Sequence, residues 1–215
     1  MSNIKAHTRY STQDGTRVPG VTTVVGQLGW DKNALIAWAR REALAGNDPN
    51  KIRDTAANIG TLTHYIIECH IKGIEPDLSD YSKNDIDKAE NGFLGFLDWE
   101  KDNKLEYIDS EIKVVSEKYK YGGTLDLIAK KNVSFWLVDF KTGKGIYPNH
   151  KIQVSAYAKA YTEQTGNNIK ETYILHLNRE TGAFAYHKLS KDDISNGWLV
   201  FKHCRELYEL EKNFK

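Results

Sequence analysis

The apolar residues of this chain change their period near residue 105, and that change limits the fold more than any other feature of the sequence. Before it the spacing is helical. Leu35, Ile36, Trp38, Ala39 and Ala43 form a stripe over residues 32–44, and Leu62, Ile66 and Ile67 form one over 58–71. Phe93, Leu94, Phe96, Leu97 and Trp99 form a third over 83–104. Beyond it the alternation has period two, which predicts strands over 106–115, 121–129 and 133–141. A helix over about 150–164, strands over 171–177 and 183–189, and a last helix over 192–210 complete the reading. The stretch 18–25 reads as extended, with a turn near Gly29. Strands in the middle with helices around them predict an α/β (α+β) fold, a central mixed β-sheet flanked by helices.

At 215 residues the chain suits one domain, 1–215. It divides into a mostly helical part over 1–104, a sheet and helix over 105–190, and a terminal helix over 191–215. The segment from Met1 to Tyr10 is polar and lacks the hydrophobic region of a signal peptide. No stretch approaches the roughly 18 apolar residues of a membrane span. Cys69 and Cys204 are too few for a disulfide framework and share no metal-ligand spacing. An intracellular (cytoplasmic) protein is expected. The net charge is +1, from 30 Lys plus Arg against 29 Asp plus Glu. A protein that coats nucleic acid is far more basic, so any positive surface for such a partner must be local.

Alternation also sorts the acids. In the strand ending at Lys141, Phe135, Leu137, Asp139 and Lys141 share one face, while Trp136, Val138 and Phe140 take the other. In the strand before it, Thr124, Asp126 and Ile128 share a face. Pairing of the two strands brings Asp126 across from Asp139. Two carboxylates beside a lysine repel and raise each other's pKa unless a cation joins them. Mg²⁺ suits such a place, because hard divalent ions favour carboxylate oxygens and water. A D-x-K triplet by itself says little: it occurs twice here, about as often as this composition gives by chance. The copy at Asp102 to Lys104 falls on a polar helix end, whereas Asp139 to Lys141 ends an apolar strand. On the following helix Gln153 and Tyr157 are four apart and face one way, with Tyr161 continuing the row. Upstream, Gly60, His64 and Glu68 repeat the spacing; Gly60 permits a close approach and His64 offers a metal-binding nitrogen.

Taken in order, these segments resemble the PD-(D/E)XK nucleases. The carriers are G-T-L-D (Gly123 to Asp126), D-F-K-T-G (Asp139 to Gly143) and Q-V-S-A-Y (Gln153 to Tyr157). The upstream G-T-L-T-H-Y-I-I-E (Gly60 to Glu68) is similar to the RecB-like branch, whose helix supplies a metal-binding histidine. The opening V-P-G-V-T-T-V-V with L-I-A-W-A-R (Leu35 to Arg40) is similar to phage exonucleases and the mitochondrial genome maintenance exonuclease. The resemblance covers Val18 to Tyr161. It implies a restriction-endonuclease-like core with an N-terminal helical part, and a Mg²⁺- or Mn²⁺-dependent DNA nuclease. His64, Asp126, Asp139 and the Phe140 carbonyl would ligate the metal. Lys141 would position and help deprotonate the attacking water, and Gln153 and Tyr157 would support the lysine and the DNA strand. Glu68, Glu111, Lys144 and Lys151 are candidate substrate-binding residues, Glu111 as an acid in the strand before G-x-x-D. Several relatives carry four cysteines for an iron–sulfur cluster; with two here, no cluster is expected.

Plainer roles compete for each residue. His64 could be a core histidine satisfied by Glu68, Asp126 a turn cap, and Asp139 with Lys141 a surface ion pair. Gln153 and Tyr157 could be a half-exposed helix face, and Glu68 and Glu111 ordinary surface acids. Trp30, Trp38, Trp99 and Trp136 read as core rather than as platforms for bases. Lys118, Lys120, Lys144 and Lys151 are ordinary lysines one by one, but together they surround the proposed site. The leading function is an exonuclease on single-stranded DNA or DNA ends. The alternatives are a flap-type endonuclease, an inactive nucleic-acid-binding module, and a metal-binding regulatory protein, which would not need Lys141.

Overall fold

In the computed structural model, residues 8–214 are described, and a five-stranded mixed sheet organises them. Its strands are β3 (Glu106–Ser116), β4 (Tyr121–Lys131), β5 (Ser134–Lys141), β6 (Ile169–Leu177) and β7 (Phe184–Lys188), adjacent in that order. The first three form an antiparallel meander, β6 runs parallel to β5, and β7 is antiparallel to β6. A parallel neighbour needs a crossover, and α5 (Pro148–Thr165) supplies it. Around the sheet lie α1 (Val21–Val25), α2 (Lys32–Leu44), α3 (Pro49–Lys72), α4 (Lys83–Asn103) and α6 (Lys191–Glu211). A short ribbon, β1 (Tyr10–Ser11) with β2 (Arg17–Val18), precedes them. This is the α/β fold expected, a restriction-endonuclease-like sheet with helices on both faces.

The two faces of β5 carry two cores. Leu137 joins Val154, Tyr161, Ile174 and Phe201 under α5 and α6. Trp136, Val138 and Phe140 join Ile67, Phe96 and Trp99 of α3 and α4. The alternation read along this strand therefore holds. Along β4 it changes phase. Leu125 and Ile128 pack in the first core, but Leu127 and Ala129 in the second. The simple face shared by Thr124, Asp126 and Ile128 is thus broken at Asp126. Opposite it on β3, Glu111 has φ of 54°, a left-handed value that non-glycine residues seldom hold without a local reason.

Three readings are corrected. Residues 21–25 are helical, not extended: Val21, Val24 and Val25 are buried at helical spacing against the first core, and burial overrides their strand preference. Helix α3 begins at Pro49 rather than 58, because Asp48 caps it by accepting from the Asn50 and Lys51 N–H groups and proline suits the first helical position. Helix α2 has the expected bounds but buries no residue, and Ile36 and Leu44 are 66% and 79% exposed. Trp99 and Trp136 are core as expected, whereas Trp30 is 57% exposed. The polar start from Met1 falls, over residues 1–7, outside the described residues. Among those described, no helix is long and apolar enough to cross a membrane. Cys69 and Cys204 are buried and unbonded.

Candidate active site

Three adjacent strands each bring one acid to the same row. Ser110 pairs with Leu127 and Ile112 with Leu125, which sets Glu111 opposite Asp126. Leu127 pairs with Val138, so Asp126 and Asp139 are the next opposed positions. There the β4–β5 ladder ends, and the Phe140 N–H donates to Asp126 Oδ2 at 2.6 Å. Like charges opposed across strands are destabilising unless something between them is positive.

Helix α3 brings that positive group. His64 Nδ1 lies 3.4 Å from Asp126 Oδ1 and 3.6 Å from Glu111 Oε1, and its ring meets Phe140 edge-on at 5.7 Å. Glu68, one turn further along α3, accepts from Lys72 Nζ at 2.6 Å. The approach of α3 depends on Gly60, one turn earlier, where a Cβ would stand 2.8 Å from Thr142 Oγ1 just after β5. Burial disfavours the charged imidazolium, but the Asp126 and Glu111 carboxylates outweigh it and raise the His64 pKa to about 10. For Asp126, burial opposes ionisation, while the imidazolium, Lys141 and the Phe140 N–H hold the carboxyl below its usual range.

Asp139 is almost fully buried, and Lys141 Nζ is 2.6 Å from its Oδ2. Burial pushes Asp139 up to about 6 against the pull of Lys141, with Asp126 adding to the rise. Lys141 is desolvated too, yet Asp139 and Asp126 raise it and keep it cationic. Tyr157, buried against β4, occupies the space that a side chain at Gly123 would take. Its hydroxyl accepts from Gln153 Nε2 at 2.7 Å, and burial with the nearby Asp139 and Asp126 keeps it protonated.

Among the described residues, His64, Glu111 and Asp126 offer three ligand atoms within 4.8 Å of one another. An imidazole nitrogen with two carboxylate oxygens suits a divalent ion of the harder kind. Asp139, expected as a ligand, is not in that trio; Lys141 engages it. Glu111, expected only as a substrate contact, is in it. The left-handed φ at Glu111 was the signal, and sequence does not reveal it for a glutamate. The other candidates lie further out. Lys144 is exposed in the loop after β5, and Lys151 is paired with Asp193 of α6 at 2.9 Å rather than free for phosphate.

No protein-family model matches the chain. A 72-residue segment, 30% of this chain, is 36% identical to part of an ATP-dependent helicase/nuclease from Carboxydothermus hydrogenoformans, and it spans 6% of the length of that polypeptide. Among solved structures, an exonuclease-named protein from Eubacterium rectale gives a TM-score of 0.48 at 12% identity, covering 69% of this chain and 64% of that one. The LHK-Exo complex with dAMP gives 0.42 at 9%, covering 74% and 88%. An alkaline exonuclease from Laribacter hongkongensis gives 0.36 at 7%, covering 74% and 90%. Likenesses this distant carry no argument about activity. In its ordered motifs and in the matched segment, the chain resembles the RecB-like branch of the PD-(D/E)XK nucleases.

Proposed function

We propose that the chain is a Mg²⁺- or Mn²⁺-dependent DNA nuclease, an exonuclease acting on single-stranded DNA or DNA ends. The observation that carries this is the adjacency of Asp126, Asp139 and Lys141 at one end of the sheet, with His64 and Glu111 beside them. A plain metal-binding protein has no use for a buried ammonium 2.6 Å from one of the acids. A nuclease does, because negative charge grows on the phosphate as its bond breaks, and a fixed cation there favours that change. His64, Glu111 and Asp126 would hold the ion, with Asp139 and the Phe140 carbonyl at its edge. Once bound, the ion lowers the pKa of water and polarises a phosphate oxygen. Lys141, kept cationic by Asp139, orients water and substrate oxygen, and Gln153 with Tyr157 walls the site. The whole chain acts as one nuclease domain. Its two unbonded cysteines fit a reducing intracellular setting, as in a phage or bacterial host.

End-labelled single-stranded, duplex and circular DNA, digested with and without Mg²⁺, tests the reading. Loss of label from linear strands with circles spared is expected. Cleavage of circles would make it an endonuclease, and cutting at flap junctions would favour the flap-type alternative. No cleavage of any DNA with either metal would leave only a binding module.

A further inference from the structure

A cleft of about 700 Å³ opens beside the acidic row, with Glu111 in its wall. The β1–β2 ribbon builds part of it, and Tyr10 seats that ribbon on β4. The Tyr10 hydroxyl is 3.0 Å from Thr124 Oγ1, and its ring fills the space that a side chain at Gly122 would need. Gly20, just after the ribbon, bridges to Gly122. Val18, paired with Tyr10, is 6% exposed. Alternate residues of a strand take opposite faces, so with Tyr10 and Val18 turned inward, Arg9 and Arg17 turn outward. Both arginines are exposed and line the cleft, and neither has a carboxylate partner among the described residues. Lys212 lines it too, as do the hydroxyl-bearing Thr22 and Thr23, and Glu111 is the sole carboxylate among the lining residues.

A short ribbon clamped in place by Tyr10, presenting two exposed guanidinium groups to a cleft, is a device for anions. Arginine suits phosphate because its planar fork matches two oxygens at once. The cleft falls in the size range that holds a single small molecule, room for a short piece of one strand but not for a duplex. We infer that this cleft seats single-stranded nucleic acid next to the acidic row, with Arg9 and Arg17 on its phosphates. The inference rests on the nuclease reading and adds to it the path of the strand. It also explains how a chain of net charge +1 holds a polyanion: the positive charge is placed locally, beside the acids.

The test is fluorescence anisotropy of a labelled single-stranded oligonucleotide in EDTA across a salt series, with KM for its cleavage in Mg²⁺ measured alongside. Arg9→Gln with Arg17→Gln changes two exposed side chains, and an unaltered melting temperature establishes that the fold is kept. The double variant is expected to bind at least about tenfold more weakly and to raise KM. Its plot of log affinity against log salt should be shallower by about 1.4, the value for two lost contacts on a single strand. Wild-type affinity and wild-type slope in the double variant of a cleaving enzyme would overturn the cleft and spare the nuclease reading. Binding that depends on both arginines, in a protein that cleaves no DNA, would overturn the nuclease reading and spare the cleft.

Discussion

Glu111, Asp126 and Asp139 stand side by side across three strands, and what balances them differs from one to the next. His64 sits against the first two, while Lys141 sits against the third. Removing the ammonium leaves Asp139 buried without its partner, and removing the carboxylate does the same to Lys141. Lys141→Ala and Asp139→Asn should each lower single-turnover cleavage by at least about two orders of magnitude, as when one preorganised charge is lost from a site. His64 makes a prediction of opposite kind. Its folded pKa of about 10 exceeds the ordinary 6.5, so without metal the protonated ring stabilises the fold below about pH 6.5, and that contribution is lost as pH rises through 10. An arriving metal must displace that proton. The half-saturating metal concentration should therefore fall by up to about tenfold per pH unit between about pH 6 and pH 8. In His64→Ala that slope should flatten and the half-saturating concentration should rise. A metal titration unchanged by the substitution, beside a clear drop in melting temperature, would return His64 to a core role.

At the scale of elements, the site depends on α3 reaching the end of β5, and Gly60 sets how near it comes. Alanine in a helix interior normally gains about 0.5–1 kcal/mol over glycine. Here the added methyl meets Thr142 Oγ1 at 2.8 Å, so Gly60→Ala should instead lower stability and weaken metal binding by moving His64. Thr142→Ala removes that oxygen, and the double variant should recover much of both losses, a coupling that thermal melts and metal titrations read as a double-mutant cycle. A Gly60→Ala protein that is more stable than wild type and binds metal as well would show that the contact does not govern the helix. Much of this arrangement is legible in the sequence, because period-two runs in apolar strands mark Asp126 and Asp139, and helical spacing marks His64, Gln153 and Tyr157. Glu111 was readable only as an acid in the right strand. Its place beside His64 comes from a backbone twist that glutamate does not announce. The α1 segment misled because valine favours strands, and its burial at helical spacing depends on α5 and α6, far along the chain. On α2 a helical apolar stripe was read correctly as helix, but nothing local says whether such a face finds a partner.

For the whole molecule, the sheet acts as a frame that fixes acids on three strands while a separate helix supplies the imidazole. The residues that meet are 62 apart at their widest within one pair, His64 and Asp126, so the site exists only when the fold does. Ion binding should then stabilise the fold, raising the melting temperature with metal concentration in wild type and hardly at all in Asp126→Asn. The central claim, that this frame serves metal-dependent hydrolysis of DNA, is tested most directly by one measurement. It is the release of labelled nucleotide from a single-stranded oligonucleotide by wild-type protein in excess EDTA, then after Mg²⁺ or Mn²⁺ is restored. The account predicts no release in EDTA and full recovery with metal. Undiminished release in EDTA, or none with either metal, would contradict it.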